Sequence, residues 1–342
     1  MRCPSLKDLP PPPPGKTGWP WTEESPQVPN LTPSGDPWPR ISIVTPSYNQ
    51  GNFLEETIRS TLLQGYPDLE YIVIDGGSTD SSVQIIQKYG KWISYWVSHA
   101  DRGQSDAINR GFSRCTGKVV AWLNSDDMYY SGILEYVGQK YLDSKSPTRF
   151  WMISSIDWID VESGTKYVGM QEYWNSLDDW VSGKASFNQQ GTFWGRAIID
   201  NAGPLREDMH FGFDTEYVTR LIYLGYQFAC ANDIVGACYR QHAECKWKKG
   251  LMPFQYEWLH IRIHYLRAGG EKRKSVTRQL AHKLAFFELR FSQESRKPKM
   301  ERLRWIAKAY IHAPWALTWD RVFWGSLARI LLPGFQKWRD GD

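Results

Sequence analysis

Between residues 41 and 127 the sequence alternates short β-branched runs with amphipathic helical patterns, and this alternation limits the fold more than any other feature. ISIVTPSY, LEYIVID and KVVAWLN are apolar enough to be strands buried on both faces, and YWVSH fits a further strand between the last two. The helical pattern after the first run places Leu54, Ile58 and Leu62 on one stripe. Such alternation predicts an α/β fold with a mainly parallel, Rossmann-like sheet flanked by helices.

Three of the predicted strands end in polar or glycine-rich residues. These endings are residues 45–49 (TPSYN), 75–80 (DGGSTD) and 124–127 (NSDD). Ligands of parallel sheets bind beyond the carboxyl ends of the strands, so we expect the three endings to face one crevice. Carboxylates at the end of a buried strand are costly to desolvate unless a cation or ligand accepts them, and Mg²⁺ or Mn²⁺ suits oxygen ligands there. The alternative for the NSDD ending is a turn or helix cap.

The chain outside this region has a different character. Residues 1–40 contain the run Pro10–Pro14 and predict an extended, proline-rich arm; residues 41–250 form the predicted catalytic domain, and residues 251–342 a helical C-terminal extension. Residues 271–342 hold 16 Lys and Arg against 7 Asp and Glu. A basic tail on a near-neutral body argues against nucleic acid as a partner and favours an anionic surface.

The tail also carries apolar stripes, and the two stripes comprise Leu303, Trp305, Ile306 and Tyr310, then Trp319, Val322, Phe323, Leu327, Ile330 and Leu331. Trp beside basic residues on an amphipathic helix suits a membrane interface, although the stripe could equally pack on the catalytic body. The sequence has no run of 18 apolar residues and no apolar N-terminal signal, so we expect a cytoplasmic protein, peripheral at the inner face of the plasma membrane.

Composition adds two constraints. The 18 Trp residues and an aromatic content of 15% suit flat sugar or base faces as well as membrane interfaces. The five cysteines are odd in number and show no paired framework, which favours a reducing compartment. Cys238, His242 and Cys245 are close enough in sequence to suggest a zinc site, but a fourth ligand is not evident.

The ordered motifs TPSYNQGNFLEETIRSTLLQGYPDLEYIVIDGGSTDSS, DRGQSDAINRGF and GKVVAWLNSDD together resemble the family-2 glycosyltransferases with the GT-A fold. The resemblance is nearly continuous over residues 39–127 and continues less clearly to about residue 245. It implies a nucleotide-sugar site, a divalent cation and a catalytic carboxylate at the carboxyl edge of the sheet.

By this resemblance the nucleotide sugar contacts residues of the strand endings and of the DRGQSD segment: Thr45, Pro46, Tyr48, Asn49, Asp75, Gly76, Arg102, Asp106, Asn124 and Ser125. Tyr48 would border or stack on the base, and Arg102 would neutralise the diphosphate as a planar donor fork. Asp106 would hold a sugar hydroxyl or Arg102 itself. Gly76 departs from the family pattern, because a second Asp often lies there and makes the usual uracil contact.

The resemblance also implies a metal site and a base. Asp126 is the expected ligand of Mg²⁺ or Mn²⁺, with Asp127 binding directly or through water and His242 completing the metal or phosphate site. Asp214 is the expected base that deprotonates the acceptor, with Glu216 as the fallback and helix capping as the alternative role for Asp214. Gln189 and Gln190 would lie on the acceptor side, and Trp194 is a candidate sugar platform.

These features predict an inverting, metal-dependent glycosyltransferase. The expected donor is a nucleotide-diphosphate sugar, with a UDP-sugar favoured and GDP or dTDP as alternatives. The expected acceptor is a glycan or lipid-linked glycan of a surface polysaccharide or glycolipid. A sugar-nucleotide pyrophosphorylase is the alternative enzyme, although TPSYNQGN lacks the cations of a triphosphate loop. A catalytically silent glycan-binding protein is the non-enzymatic alternative, whereas a dehydrogenase would need a G-x-G-x-x-G after the first strand.

Overall fold

The computed structural model describes residues 1–172, 187–246, 251–268 and 298–312, together with Leu177, Trp180, Ala285 and Leu327. The chain divides into two compact units, Met1–Lys248 and Lys249–Asp342. The first unit contains every residue that the sequence predicts to bind a nucleotide sugar or a metal ion or to act as the base.

Nine strands of the described residues join one sheet in the first unit. They are β1 (Ile41–Ser47), β2 (Leu69–Asp75), β3 (Tyr95–Ser98), β4 (Val119–Trp122), β5 (Met128–Tyr129), β6 (Trp151–Asp160), β7 (Lys166–Gly169), β8 (Thr192–Gly195) and β9 (Ala229–Gln241). Their order is β3-β2-β1-β4-β8-β6-β9-β5, with β7 paired to β6.

The first four strands of this order are parallel, and the sheet becomes mixed beyond β4. The chain winds from β1 to β2 and β3 on one side and then returns to β4 on the other side of β1. A sheet that is wound in both directions from a central strand opens a crevice at the carboxyl ends of the strands beside that point. The predicted α/β class with a Rossmann-like sheet is confirmed.

The helices of the first unit are α1 (Gly51–Leu62), α2 (Ser82–Tyr89), α3 (Gln104–Phe112), α4 (Ile133–Leu142), α5 (Arg196–Ala202) and α6 (Phe213–Tyr223). The predicted stripe of α1 is correct, because Leu54, Ile58 and Leu62 are all fully buried. They join the apolar side chains of β1, β2 and β4 in one hydrophobic core. This packing holds the strands rigidly, and the strand ends therefore lie at reproducible positions.

Residues 1–40 form a short 3-10 helix at Leu6–Asp8 and otherwise irregular backbone, and they belong to the first compact unit. The buried guanidinium of Arg59 in α1 holds this segment, since it donates hydrogen bonds to the carbonyls of Pro10, Pro20 and Trp21. A buried cation is tolerated when its donors are satisfied in this way. The proposed division into residues 1–40, 41–250 and 251–342 stays a prediction.

The described part of the second unit is helical, as the sequence predicts, with α7 at Leu251–Ala268 and α8 at Lys299–His312. In α8 Ile306 is buried and Trp305 packs edge-on against Tyr256 of α7, with ring centroids 5.5 Å apart. Most of the second predicted stripe, including Trp319, lies outside the described residues. Among the residues that the structure describes, none of the helices is both long enough and apolar enough to cross a bilayer.

Candidate active site

The register of the parallel strands brings the first two polar endings together. Ser47 of β1 pairs with Asp75 of β2, and Asp75 pairs with Ser98 of β3. Neighbouring strands lie about 4.8 Å apart, so the residues that follow these three form one row along the edge of the sheet. The amide of Gly76 continues the row by donating to the carbonyl of Ser47 at 2.8 Å.

Asp75 is fully buried, and both of its carboxylate oxygens are engaged by nearby residues. Oδ2 accepts hydrogen bonds from the amides of Gly77 (3.1 Å) and Ser78 (2.9 Å) and from the hydroxyl of Ser98 (2.7 Å). Oδ1 accepts from the hydroxyl of Ser78 at 2.5 Å. Asp75 therefore fixes the backbone of the glycine turn, and this role was not predicted from its sequence position.

The ending of β1 combines an exposed aromatic ring with buried residues that precede it. Tyr48 is 60% exposed, whereas Thr45 and Pro46 are buried. The hydroxyl of Thr45 accepts from Tyr71 at 3.1 Å, so this threonine supports the edge from inside the core. Asn49 adopts a left-handed φ of 51° and its side chain accepts from the amide of Thr79 at 2.8 Å. Tyr48 is thus the residue of this ending that is available to a ligand.

A cleft lies beside this edge, where α3 and α6 begin. It has an empty volume of about 180 Å³, and it is lined by Arg102, Gly103, Gln104, Ser105, Glu207, Met209, His210, Phe213 and Lys246. Arg102 is exposed and forms ion pairs with Glu207 (2.7 Å) and Asp106 (3.3 Å). Burial alone would raise the pKa of Asp106, but hydrogen bonds from Arg102 and the nearby Arg110 hold that pKa below its usual range. Asp106 therefore orients Arg102, which is one of the two predicted roles.

The NSDD turn after β4 is held by side chains from distant parts of the chain. The amide of Asn124 donates to Asp127 and to Gln189, each at 3.1 Å, and its oxygen accepts from Gln104 at 2.8 Å. Ser125 is buried, and its carbonyl accepts from the hydroxyl of Thr57 at 2.9 Å. Asn124 thus connects this turn with the cleft, because Gln104 also accepts a hydrogen bond from Lys246 at 2.8 Å.

Asp126 and Asp127 are adjacent in sequence but face different environments. Oδ2 of Asp126 lies 3.2 Å from Nε2 of His242, and these two groups with the thiol of Cys245 form a cluster whose donor atoms all lie within 4.8 Å of one another. The carboxylate of Asp127 is fully buried and lies outside this cluster. It accepts from the side chain of Gln190 and from the amide of Arg240. Burial and the charge of Asp126 raise the pKa of Asp127.

Arg240 of β9 is the main organiser of the acidic turn and was missed in the sequence. Its guanidinium is buried, forms an ion pair with Glu56, and donates to the carbonyls of Asp126 and Asp127. The signal for it was the CYRQH segment, in which a charged residue interrupts a strand two positions before His242. Arg240 therefore compensates the acids of this turn and fixes the direction in which each of them points.

The cluster of Asp126, His242 and Cys245 combines two residues of the expected Mg²⁺ or Mn²⁺ site with one residue of the zinc hypothesis. The zinc hypothesis named Cys238, His242 and Cys245, but Cys238 is not in the cluster that the structure brings together. Burial raises the pKa of Cys245 to about 11, so this group is a thiol at neutral pH. A carboxylate, an imidazole and a thiol that converge in this way have the donor types that hold a divalent transition-metal ion.

Asp214 and Glu216 both lie in the first turn of α6 and differ in their surroundings. Glu216 is buried and paired with Arg220 at 2.5 Å, which also donates to the carbonyls of Ala202 and Pro204. Burial raises the pKa of Asp214 to about 6, while hydrogen bonds from Thr215 and the charge of Lys246 oppose that rise. The neighbour of Asp214, Phe213, lines the cleft. Glu216 is therefore held in an ion pair with Arg220, whereas Asp214 has a pKa near neutral pH.

The prediction for Trp194 is wrong, because this residue is fully buried and stacks on Trp122 with ring centroids 4.9 Å apart. A ring buried in the core cannot receive a sugar face. Gln189 and Gln190 are also buried, and they hold the strand end and turn by donating to the carbonyl of Trp122 and the carboxylate of Asp127. Gln189 and Gln190, which were expected near the acceptor, thus stabilise the acidic turn through buried hydrogen bonds.

Comparison with known proteins places this architecture among glycosyltransferases. Residues 42–145 match the model of glycosyl transferase family 2. An uncharacterized glycosyltransferase of Mycobacterium tuberculosis is 27% identical over 184 residues, which cover 53% of this chain and 68% of that protein. TuaG of Bacillus subtilis, whose description provisionally assigns it to teichuronic acid biosynthesis, is 37% identical over 100 residues, covering 28% of this chain and 40% of TuaG.

Among solved structures, residues 1–349 of S. aureus TarS share this fold with a TM-score of 0.56 and 16% identity, over 80% of this chain and 81% of that one. The same TarS fragment has been solved in complex with UDP-GlcNAc, and this complex aligns with a TM-score of 0.55 and 15% identity over 80% of this chain and 82% of that one. The fold is therefore the GT-A type, as the sequence predicts.

Proposed function

Because residues 42–145 form a glycosyl transferase family 2 domain, we propose that this glycosyltransferase moves a sugar from a nucleoside diphosphate to an acceptor hydroxyl with inversion at the anomeric carbon. The observation that carries the proposal is the set of contacts that runs from Asn124 through Gln104 and Lys246 to the start of α6. These contacts link the acidic turn to the cleft through Gln104 and Lys246, and Phe213, the neighbour of Asp214, lines the same cleft.

The donor fits the edge formed by β1, β2 and the start of α3. Tyr48 offers an exposed ring for the base, and the exposed guanidinium of Arg102 lines the cleft. A guanidinium binds phosphate oxygens through two parallel hydrogen bonds, so Arg102 would exchange its ion pair with Glu207 for the diphosphate. The complex of TarS with UDP-GlcNAc supports a nucleotide-sugar donor for this fold.

The residues present fit a divalent cation at Asp126 and His242, with Cys245 beside them. A bound Mn²⁺ or Mg²⁺ would neutralise the charge that develops on the departing nucleoside diphosphate. The part of this chain is to hold Asp126 and His242 facing each other, and Arg240 does so by binding the carbonyl of Asp126. Asp127 contributes from behind by accepting hydrogen bonds from Asn124 and Gln190.

Asp214 is the base of the proposed reaction. As the acceptor oxygen forms its bond to the anomeric carbon and the carbon–oxygen bond to the diphosphate breaks, the hydroxyl proton passes to the carboxylate of Asp214. A base is most effective when its pKa lies near the working pH, and the pKa of about 6 that burial gives Asp214 meets this condition. Glu216 serves this role poorly, because Arg220 neutralises it.

The acceptor class follows from the relatives. TuaG is described in terms of teichuronic acid biosynthesis, and we extend this to the assembly of a cell-surface polysaccharide by the present chain. The basic C-terminal region, with 16 Lys and Arg against 7 Asp and Glu over residues 271–342, would bring the enzyme to an anionic membrane surface that carries a lipid-linked acceptor.

The test is a thermal-shift panel of nucleoside diphosphates and their sugars with and without Mn²⁺, followed by release of nucleoside diphosphate from the best donor. We expect one nucleotide to raise the melting temperature, and Mn²⁺ to increase that shift. His242→Gln should lower the affinity for Mn²⁺ about 10- to 100-fold, so a higher Mn²⁺ concentration would be needed for the same shift in melting temperature. Nucleotide binding without any sugar transfer to polysaccharide acceptors would instead favour a silent glycan-binding protein.

A further inference from the structure

Gly76 occupies a position in the row of strand ends where a side chain would collide with another acid. A Cβ atom built on Gly76 would lie 2.7 Å from Oδ2 and 3.0 Å from Cγ of Asp101. Asp101 follows β3, the neighbour of β2, and its carboxylate therefore fills the space that a side chain at residue 76 would use. The absence of a side chain at residue 76 and the position of Asp101 are thus two parts of one arrangement.

The preceding acid cannot serve a ligand at this edge without dismantling the turn. Asp75 has four donors from Gly77, Ser78 and Ser98 on its two oxygens. Each donor would have to be released before the carboxylate could turn outward, and a buried donor left unpaired costs about 1–3 kcal/mol. The carboxylate available at this edge is therefore that of Asp101, which is half-buried.

The two oxygens of Asp101 differ in their partners. Oδ1 accepts from the amide of Gly103 at 2.9 Å. Oδ2, which faces the Cα atom of Gly76, accepts no hydrogen bond within the part of the chain that the structure describes. Burial raises the pKa of Asp101, and the nearby charges of Asp106 and Asp75 add to that rise. A hydrogen-bond donor from a ligand would therefore stabilise the ionised form of this group.

We propose that Asp101 recognises the base of the donor nucleotide, by accepting a hydrogen bond from the imino N–H of uracil on Oδ2. This inference rests on the proposed function, since it presumes a nucleotide-sugar donor. Tyr48 follows the strand residue that pairs with Asp75, so it lies in the same row as Gly76, and its ring is exposed and could stack on the base. Because Gly76 lacks a side chain, the carboxylate of Asp101 can occupy this place in the row of strand ends.

Oδ2 of Asp101, as a single hydrogen-bond acceptor, would select which nucleotide base binds. Uracil presents one N–H on its pairing edge, which matches one acceptor. Cytosine presents an unprotonated ring nitrogen at the same point, and two acceptors facing each other repel. Guanine presents two adjacent donors, which a carboxylate binds best with both oxygens, and Oδ1 is already bound by Gly103. The site thus prefers UDP over CDP and GDP.

The test measures the affinities of wild type and Asp101→Asn for UDP, CDP, GDP and 2′-deoxy-UDP by calorimetry in the presence of Mn²⁺. We expect wild type to prefer UDP over CDP, and Asp101→Asn to lose about 10- to 100-fold in UDP affinity, because a hydrogen bond to a charged group contributes about 1.5–3 kcal/mol. The Asn amide can donate to cytosine, so the ratio of UDP to CDP affinity should fall further than the UDP affinity itself.

Two variants at residue 76 provide independent controls. Gly76 lies outside the positive-φ region, so its backbone accepts a side chain. Gly76→Ala should displace the Asp101 carboxylate and reduce UDP affinity as Asp101→Asn does, yet add no loss in the Asp101→Ala background. Gly76→Asp combined with Asp101→Ala returns a carboxylate to the same place and should restore the preference for UDP over CDP.

The outcomes separate this inference from the proposed function. If wild type binds no nucleoside diphosphate, the proposed function fails and this inference fails with it. If wild type binds UDP but Asp101→Asn and Gly76→Ala keep the wild-type ratio of UDP to CDP affinity, only the role of Asp101 is overturned. A wild-type preference for GDP or CDP, or a loss confined to the distinction between UDP and 2′-deoxy-UDP, would also overturn recognition of uracil by Asp101.

Discussion

The two halves of the candidate site are built in different ways. The half formed by residues 41–127 is organised by contacts between adjacent strand ends, such as the four hydrogen bonds that hold Asp75. The half contributed by residues 187–246 reaches the first half through single long-range side chains, among them Arg240 and His242. The stability of the first half should therefore tolerate the loss of a single hydrogen bond, whereas the contact made by the second half depends on each of these side chains.

The largest effect should come from Asp214, which has no substitute in the second half of the site. Asp214→Asn should reduce the rate of sugar transfer by about 10²–10⁴-fold, because the acceptor hydroxyl loses its base. Donor affinity should stay at the wild-type value, and the melting temperature should rise by about 2–4 °C because a buried charge is removed. Single-turnover transfer assays and calorimetry test this, with Glu216→Gln as the matched variant. Full activity of Asp214→Asn would exclude it as the base.

Removing the guanidinium of Arg240 should destabilise the contact between the two halves. Arg240→Gln leaves Glu56 and the buried Asp127 without their cation, and loss of one partner from a buried charge pair costs about 3–5 kcal/mol. We expect the free energy of unfolding in urea to fall by about that amount. Glu56→Gln is the control, since Glu56 is the more exposed partner and its loss should cost less. Equal stability of the two variants would contradict the central role of Arg240.

The pH dependence of transfer should report the environment of Asp214. Its pKa is raised to about 6, and the base must be ionised, so kcat/KM should rise about tenfold per pH unit below 6 and level off above. The folded state binds this proton more tightly than an unfolded chain with a pKa of about 3.9, so the stability that the protonated group contributes is lost as pH rises from about 4 through 6. Asp214→Asn should lack both transitions.

The smallest effect is expected in the first half of the site. Ser98→Ala removes one of the four hydrogen bonds to Asp75 and should lower the free energy of unfolding by about 1 kcal/mol. Nucleotide affinity should stay unchanged, because the amides of Gly77 and Ser78 still hold the turn. Chemical denaturation and calorimetry measure the two quantities. A loss of nucleotide affinity larger than the loss of stability would show that this half is as sensitive as the other.

The sequence predicted the first half of the site well because its determinants are local. Periodicity located β1, β2 and β4, and the polar endings of these strands marked the carboxyl edge of the sheet. The motif resemblance predicted the type of domain correctly, since residues 42–145 match glycosyl transferase family 2. What remained hidden was the internal role of Asp75, because the sequence does not say which donors meet a carboxylate.

The second half was predicted less completely, because its contacts join residues that are far apart in the chain. Arg240 lies more than a hundred residues from the Asp126 carbonyl that it binds, and neither position reveals the other. Trp194 was misassigned for the same reason, since its burial against Trp122 depends on the antiparallel pairing of β8 with β4. The roles of the site residues, the metal ion and the C-terminal region as a membrane contact stay predictions.

The sequence by itself determined the fold class, the glycosyl transferase family 2 match of residues 42–145 and the edge of the sheet at which a ligand would bind. Strand and helix periods and strand-end composition are properties of neighbouring residues. Only the tertiary structure decided the surroundings of each acid. It buried Asp127, paired Glu216 with Arg220, enclosed Asp75 in its own turn, left Oδ2 of Asp101 facing Gly76, and raised the pKa of Asp214 to about 6 by burial. The charge and availability of a carboxylate depend on the groups around it, and folding brings those groups from the whole of the first unit.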